Sequence, residues 1–512
     1  MLLAGFGLAF LVVDCFEVGR NDGANIVNSV FGARILKRRH AVLLAGVAVV
    51  LGATFGSAVM ETARKGIFTP GAITGADANE ILFKLMCIYI SVYVVDTILL
   101  YGFSAYGLPV STTACLVFEL VGASLFIGGV DVVNWDKTSD VVTGIIVSIL
   151  VAGVGAYLIQ RMVRGAMRED PQNREQVLLH GPWIAGGMLT FLTWFLVFKG
   201  LKNIAAVAWL KDHTFGVYGE PTVLIFGWAV FTLAVHLFLV FAGAKGTRHL
   251  FNGMAVLGMV CMAFAFGQND LANAASPGLS AWVLYKNAGT TAEIASKVPI
   301  PMWALFLCGA LLGGGMLTTY AQRVTRAGVN MGSQFDHVAL YAPGWCRAIA
   351  RGILKMDPRR LRVLAPPPET TDTGKKIHFD ALRAAVIMSV AASVIAYASG
   401  HGLPVSTTYV SFSAVIGSGI ADRVFHRGDS DLKLGRFIWV VFGWLAAPAI
   451  AVVATGLIAL LLFHLEIVGL AAALAVNIAA RFVLKRTSDA HEKRHHGSGP
   501  MDDDDAPAPA PA

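Results

Sequence analysis

The sequence predicts an all-α polytopic membrane protein made of two inverted repeats, with broken helices and re-entrant hairpins. The first indication is compositional. Asp, Glu, Lys and Arg make up 14% of the 512 residues and hydrophobic residues 56%, whereas a soluble domain carries roughly 25% charge. A mean hydropathy of +0.64 over such a length does not fit one soluble core, because those stop growing at about 250–300 residues. The second is that apolar residues gather in stretches of roughly 20, enough for a helix to cross ~30 Å of hydrocarbon. The third is that two unusual polar motifs each occur twice. Together these exclude a secreted disulfide scaffold, a disordered chain and a nucleic-acid-binding module.

The candidate spans, in order, are 2–19, 41–60, 81–101, 114–130, 141–160, 183–201, 222–244, 251–266, 300–320, 380–399, 405–420, 437–463 and 466–484. The first has no basic leader and reads as a spanning helix rather than a cleaved signal peptide. Lys and Arg fall in groups between the spans: Arg34 with Lys37 to Arg39, then Arg161, Arg164 and Arg168, then Lys485 to Arg494. This is the pattern of topology-setting charge under the positive-inside rule, and it accounts for the net charge of +7 without nucleic acid. Cys15, Cys87, Cys115, Cys261 and Cys308 lie in apolar segments, which predicts buried thiols rather than disulfides or a zinc site.

The chain divides into a first transmembrane repeat (1–160), connecting transmembrane helices (161–250) and the first part of a second repeat (251–322). A basic loop on the cytoplasmic side (323–378) comes next. The second part of that repeat with a terminal helix (379–487) and a disordered tail (488–512) complete the chain. The loop holds ten Lys and Arg against four acidic residues and includes Pro366-Pro367-Pro368. The tail includes His495-His496, Asp502 to Asp505 and an Ala-Pro repeat, with no means of burying apolar surface.

The repeat is read from its polar motifs. Gly19-Arg20-Asn21-Asp22-Gly23-Ala24-Asn25 is matched by Gly267-Gln268-Asn269-Asp270-Leu271-Ala272-Asn273, each expected to interrupt an apolar helix. Gly107-Leu108-Pro109-Val110-Ser111-Thr112-Thr113 is repeated identically from Gly402 to Thr408. The order is the same in both halves, and a weaker echo pairs Arg64 with Arg326. Internal duplication with polar breaks in corresponding places is the mark of secondary transporters, whose site lies near the midplane between repeats.

An intramembrane carboxylate costs about 2.5 kcal/mol or more, which makes Asp22 and Asp270 functional by default. Their flanking amides, Asn21 and Asn25 or Asn269 and Asn273, complete a hard oxygen set suited to Na⁺, while a lone carboxylate can carry a proton. Pro109 and Pro404 favour extended chain before them and a helix just after. Ser111, Thr112, Thr113, Ser406, Thr407 and Thr408 then stand at helix starts. Their hydroxyls can cap the helix, and the exposed N–H groups with the positive dipole end can hold an anion. Arg64 and Arg326 could pair bidentately with a phosphate-like oxyanion, but each stands at a helix end beside other cations, where topology-setting charge is the first explanation. Asp14, Glu17, Asp96 and Glu119 have the apolar context of a proton or ion path, and His236 that of a packing histidine. Gly313-Gly314-Gly315 suits close helix packing. No Walker loop or nucleophile–base pair is present.

These motifs resemble the inorganic phosphate transporter (PiT) family, over most of residues 1–480. The resemblance implies a symporter that moves phosphate inward with Na⁺ or H⁺, each inverted repeat giving half the site. It implies that Asp22, Asn25, Asp270 and Asn273 handle the coupling ion and line the site. Ser111, Thr112, Thr113, Ser406, Thr407 and Thr408 would bind phosphate oxygens. Where the family usually has His after Ser-Thr-Thr this chain has Ala114 and Tyr409, Phe266 replaces a frequent His, and Val49 stands at a usually polar position. The expected protein is thus a phosphate importer of the cell (inner) membrane, with no enzymatic activity and no cofactor beyond the coupling ion. Its expected partners are phosphate and the lipid bilayer, no nucleic acid, and a homo-oligomer is compatible. The alternatives are the same architecture carrying sulfate or another tetrahedral oxyanion, a phosphate sensor, and a membrane-embedded phosphotransferase.

Overall fold

A computed structural model describes residues 2–55, 66–168, 173–201, 204–286, 301–356, 369–371 and 374–495. The first half runs through α1 (Leu2–Asn21), a 3-10 turn (Gly23–Asn25), α2 (Asn28–Gly32), α3 (Arg38–Phe55), α4 (Ala78–Ala105), α5 (Thr112–Gly128) and α6 (Trp135–Ala166). The connection holds α7 (Arg174–Thr193), continued by a π-helical stretch (Trp194–Gly200), and α8 (Ala205–Tyr218). Next come α9 (Glu220–Lys286), α10 (Met302–Gly315), α11 (Thr319–Met331) and α12 (Gly344–Met356). Two short strands, β1 (Glu369–Thr370) and β2 (Lys376–Ile377), pair antiparallel. The last helices are α13 (Ala381–Gly400), α14 (Thr407–Ala421) and α15 (Ser430–His495).

Among the described residues, seven helices are long and apolar enough to cross a bilayer, or eight if α10 and α11, bent by 67°, form one span. The long α9 and α15 are each two segments in practice. Gly243 (φ 59°, ψ −137°) breaks one and Glu466 (φ 48°, ψ −118°) the other, where the apolar pattern separates 222–244 from 251–266 and 437–463 from 466–484. A Cβ on Gly469 would lie 2.3 Å from the Leu461 carbonyl oxygen, so α15 folds back on itself at Glu466.

The halves interlock reciprocally. α5 packs on α15, while α14, its counterpart, packs on α6. Gly122 and Gly417 each stand eleven residues after the serine of a Ser-Thr-Thr triplet. A Cβ on Gly122 would lie 2.1 Å from the Val452 carbonyl oxygen, and one on Gly417 2.0 Å from that of Gly153. Only glycine permits backbones this close. At 17 and 15 residues, α5 and α14 are about 25 Å long or shorter. Their first residues are buried in the centre of the molecule.

Several expectations need correction. Gly267 to Asn273 does not break a helix, for those residues are helical within α9. Gly23 gives the first motif a residue of poor helix propensity, and Leu271 at the corresponding position gives the second a good one. Residues 323–378 are not simply a loop. Apolar and polar residues alternate at helical spacing in 319–331, so α11 forms and buries Val324, Thr325 and residues 327 to 331, and α12 follows. Pro366 to Pro368 lie outside the described residues, as does Arg64. The tail is helical as far as His495, because its start is tied down: Asp489 meets Arg323 at 2.7 Å and Glu492 pairs with Arg326. Residues 496–512 lie outside the described residues.

Arg164 is not a surface topology charge. It is wholly buried, pairs with Asp422 at 2.8 Å and with Asp380, and Gln160 donates to the same Asp422 at 3.0 Å. Arg383, also buried, donates to the Gly332 and Val415 carbonyls at 2.8 and 3.0 Å and to Ser418 Oγ at 3.1 Å. Charges removed from water need partners of this kind, and this network ties α6, α13 and α14 together beneath the centre of the molecule.

Candidate functional site

Each repeated motif positions its own side chains. Gly107 and Gly402 adopt left-handed φ of 63° and 69°, which glycine tolerates without a Cβ penalty, and turn the chain out of α4 and α13. Ser111 and Ser406 are extended and cap the next helices, accepting from Ala114 N and Tyr409 N at 3.0 Å each. The two serine hydroxyls are thereby used in capping, while Thr112, Thr407 and Thr408 reach the carboxylates and Thr113 donates to the Val405 carbonyl at 2.9 Å.

Thr112 Oγ1 donates to Asp22 Oδ2 at 2.7 Å and lies 3.2 Å from Asp270 Oδ1. Thr407, its counterpart, donates to Asp270 Oδ2 at 2.7 Å. Thr408 donates to Asp22 Oδ1 at 2.7 Å. The amides cross between halves: Asn25 Nδ2 donates to Thr408 Oγ1 at 3.1 Å, and Asn273 Nδ2 to Thr113 Oγ1 at 2.8 Å. Asn273 Nδ2 also lies 2.9 Å from Asp270 Oδ1. The helix start contributes as well, the Thr112 N–H donating to Asp22 Oδ2 at 3.3 Å.

Asn21 and Asn269 have a different task. Asn21 Oδ1 accepts from Val110 N at 3.1 Å and its amide donates to Ser104 Oγ at 2.8 Å. Asn269 Nδ2 donates to the Val405 carbonyl at 2.8 Å. Each amide grips the extended strand just before a Ser-Thr-Thr triplet, holding it beside the neighbouring carboxylate. The expected residues thus converge, in a centre where Asp22 is 1% exposed and Asp270 wholly buried. Asn25 Oδ1 and Asn273 Oδ1 are buried acceptors without a hydrogen-bond partner.

The glycines three residues before Asp22 and Asp270 were not assigned a role from sequence. A Cβ on Gly19 would lie 1.9 Å from the Leu312 carbonyl oxygen on α10, and one on Gly267 2.2 Å from that of Val49 on α3. Their constant offset from the Asn-Asp pair was the available signal. Gly315 is likewise pressed on Phe16, 2.1 Å from its carbonyl oxygen to a built Cβ.

Other polar candidates stand apart. Glu17 is neutralised by Arg20 at 2.7 Å and Arg481 at 3.1 Å. Asp14, Asp96 and Glu119 are buried but form no hydrogen bond with the motif side chains among those described. His236 is exposed and lines an apolar groove with Trp183 and Trp228.

The sequence pattern of the phosphate transporter family matches residues 18–339 and 370–491, which include every motif residue above. The chain belongs to the phosphate transporter family. That family is one of permeases rather than enzymes. Among similar proteins, one from Pyrococcus horikoshii, provisionally named a phosphate permease, is 28% identical over 89% of this chain and 95% of its own. The Arabidopsis thaliana inorganic phosphate transporter 2-1, chloroplastic, is 26% identical over 87% of this chain and 68% of its own. A solved structure described as the sodium-dependent phosphate transporter matches with a TM-score of 0.66 at 21% identity, over 90% of this chain and 99% of its own. This phosphate transporter is therefore an integral membrane protein sharing that helical fold.

Proposed function

We propose that this phosphate transporter is a secondary symporter that imports inorganic phosphate across the cell membrane, driven by Na⁺. The observation that carries the proposal is the bridge at Thr112, whose hydroxyl lies within hydrogen-bond reach of both Asp22 and Asp270. Two carboxylates from distant parts of the chain share one buried set of hydroxyls, so a cation and an oxyanion arriving there are felt by both. Thr112, Thr113, Thr407 and Thr408 supply donors to phosphate oxygens, with the N-termini of α5 and α14 behind them. Ser111 and Ser406 hold those helix starts in place. Phosphate keeps a proton at neutral pH and can donate it to an acceptor, which favours phosphate over sulfate beside two carboxylates.

The Na⁺ reading rests on the donor set. Asp22, Asp270 and the unpartnered amide oxygens of Asn25 and Asn273 are hard oxygens of the kind such a cation takes; Asn21 and Asn269 orient the segments around it. The neighbour of the same fold is described as sodium-dependent. The reciprocal packing of α5 on α15 and α14 on α6 supports two inverted repeats, 1–160 and 251–322 with 379–487, rocking about a fixed centre.

The test is labelled phosphate uptake into proteoliposomes under imposed Na⁺ or H⁺ gradients, with sulfate as competitor. A Na⁺ gradient should drive uptake, sulfate should not compete, and Asp22→Asn and Asp270→Asn should each abolish accumulation. Uptake driven by H⁺ alone would replace Na⁺ by a proton on the carboxylates. Unchanged transport in both variants would overturn the site.

A further inference from the structure

A second cavity, of about 60 Å³, lies between the end of α2, one face of α11 and the β2 strand. Its lining includes Arg34, Arg326, Asn330, Lys376 and His378 and contains no Asp or Glu among the described residues. A water needs about 10–15 Å³ by this measure, so the space suits a group of four or five heavy atoms, the bulk of one tetrahedral oxyanion. Arg34 holds a left-handed φ of 55° and donates from Nε to the Lys376 carbonyl at 3.1 Å. Arg326 is 9% exposed, and one turn along α11 Asn330 is fixed by donating to the Ala339 carbonyl at 3.0 Å.

The cations are crowded. His378 is held by its backbone N–H to the Gly32 carbonyl at 2.9 Å and by Nδ1 contacting Ser333 Oγ at 3.0 Å. Burial, with Arg34, Lys376 and Lys433 close by, pushes its imidazole down to about 3. Positive charges gathered in a partly buried space repel one another unless an anion offsets them. Among the described residues, Glu492, on the last turns of α15, pairs with Arg326, and Asp429 lies 3.4 Å from His337, which also lines the cavity.

The cavity is also connected to the centre of the molecule. Thr325, beside Arg326, donates to the Ala24 carbonyl at 2.9 Å, two residues from Asp22. The segment that carries Asp22 and Asn25 continues directly through α2 to Arg34.

We infer that this cavity is a second oxyanion site, binding a phosphate group through Arg34, Arg326 and Lys376 at the basic end of the molecule. The inference rests on reading the chain as a phosphate carrier and adds a station outside its centre. Arg presents paired donors suited to phosphate oxygens, and Lys adds a point charge. The phosphate group can be that of free inorganic phosphate or of an anionic lipid headgroup, since both present the same oxyanion to Arg and Lys.

The experiment is equilibrium binding of radiolabelled inorganic phosphate to the full-length protein in nanodiscs, without a gradient. In neutral phosphatidylcholine the wild type should bind two phosphates per chain. Arg34→Gln with Arg326→Gln should remove one, and Thr112→Val with Thr407→Val the other. Glu492→Gln releases a competing carboxylate from Arg326 and should tighten the basic site about three- to tenfold, a gain that misfolding does not produce. In nanodiscs containing phosphatidylglycerol, loss of one phosphate that depends on Arg34 and Arg326 would assign the site to a headgroup, and retention to free phosphate. A wild type that binds a single phosphate in neutral lipid, with neither Arg34→Gln/Arg326→Gln nor Glu492→Gln changing it, would overturn the inference. Binding insensitive to Thr112→Val/Thr407→Val but lost with the arginines would instead overturn the central site.

Discussion

Asn25 donates to Thr408 across 383 residues of chain at 3.1 Å, and Asn273 repeats the contact with Thr113 at 2.8 Å. Each Asn-Asp stretch is thus completed by the hydroxyl triplet of the opposite half. Each carboxylate also accepts from a triplet of its own half, Asp22 from Thr112 and Asp270 from Thr407. The centre is a cross-weave, in which moving either half relative to the other disturbs the partners of both carboxylates.

Thr112 should be the most sensitive of the hydroxyls, because it reaches both carboxylates. Thr112→Val keeps the shape and removes the donor, leaving buried acceptors short of a partner at a cost of about 1–3 kcal/mol. Initial uptake rates at limiting phosphate should fall roughly tenfold or more. Thr112→Ser should restore most of the loss, since the hydroxyl returns without the methyl.

Gly19→Ala and Gly267→Ala should damage the fold rather than the chemistry. A methyl at either position meets a backbone carbonyl at 1.9 or 2.2 Å, so helices must separate. Overpacking of this kind costs about 1–3 kcal/mol or more. Thermal unfolding in detergent should shift down for both, and uptake per folded molecule should fall as the adjacent Asn-Asp pair is displaced.

The buried network beneath the centre should be structural. Arg164→Met leaves Asp422 and Asp380 without their buried partner, and breaking such a pair costs about 3–5 kcal/mol. Asp422→Asn alone should also destabilise, and the double variant Arg164→Met/Asp422→Asn should lose less than the sum of the two. Additive losses in thermal unfolding would show that the pair is not coupled.

His378 should give the extramembrane face an acid sensitivity. Its imidazole titrates at about 3 in the folded chain against 6.5 ordinarily, so between those values the unfolded chain binds more protons. The stability due to neutral His378 is therefore complete above about 6.5 and declines as the pH falls toward 3. His378→Gln should flatten that decline, read as unfolding temperature against pH over this window.

The core of the site was legible because its residues violate the rules of their surroundings. A carboxylate or a run of hydroxyls stands out in an apolar helix, and its recurrence makes chance an inadequate explanation. Breaks in the long helices were legible as gaps between the apolar spans, after 244 and after 463, and the kinks at Gly243 and Glu466 fall within a few residues of them. What escaped was whatever depends on a partner far along the chain. Arg164 looks like any basic residue at a helix end until Asp380 and Asp422 arrive beside it, and nothing near it in sequence announces them. The different backbone of the two Asn-Asp stretches was similarly hidden, because it turns on Gly23 against Leu271 within motifs that otherwise agree. The segment 323–378 reads as solvated from its charge, yet α11 buries one face against the residues following Asp22, a contact that only the assembled helices reveal.

The separation between Asp22 and Thr408 bears on how the protein is made. When Asp22 is translated, one of its two hydroxyl donors is still 386 residues from being made. Until then the nascent amino-terminal half holds a carboxylate whose ligands are unfinished, and the cell must shelter that intermediate or keep it hydrated. A ribosome stalled midway would release no half-active carrier, only a fragment with an unmet polar demand inside the bilayer.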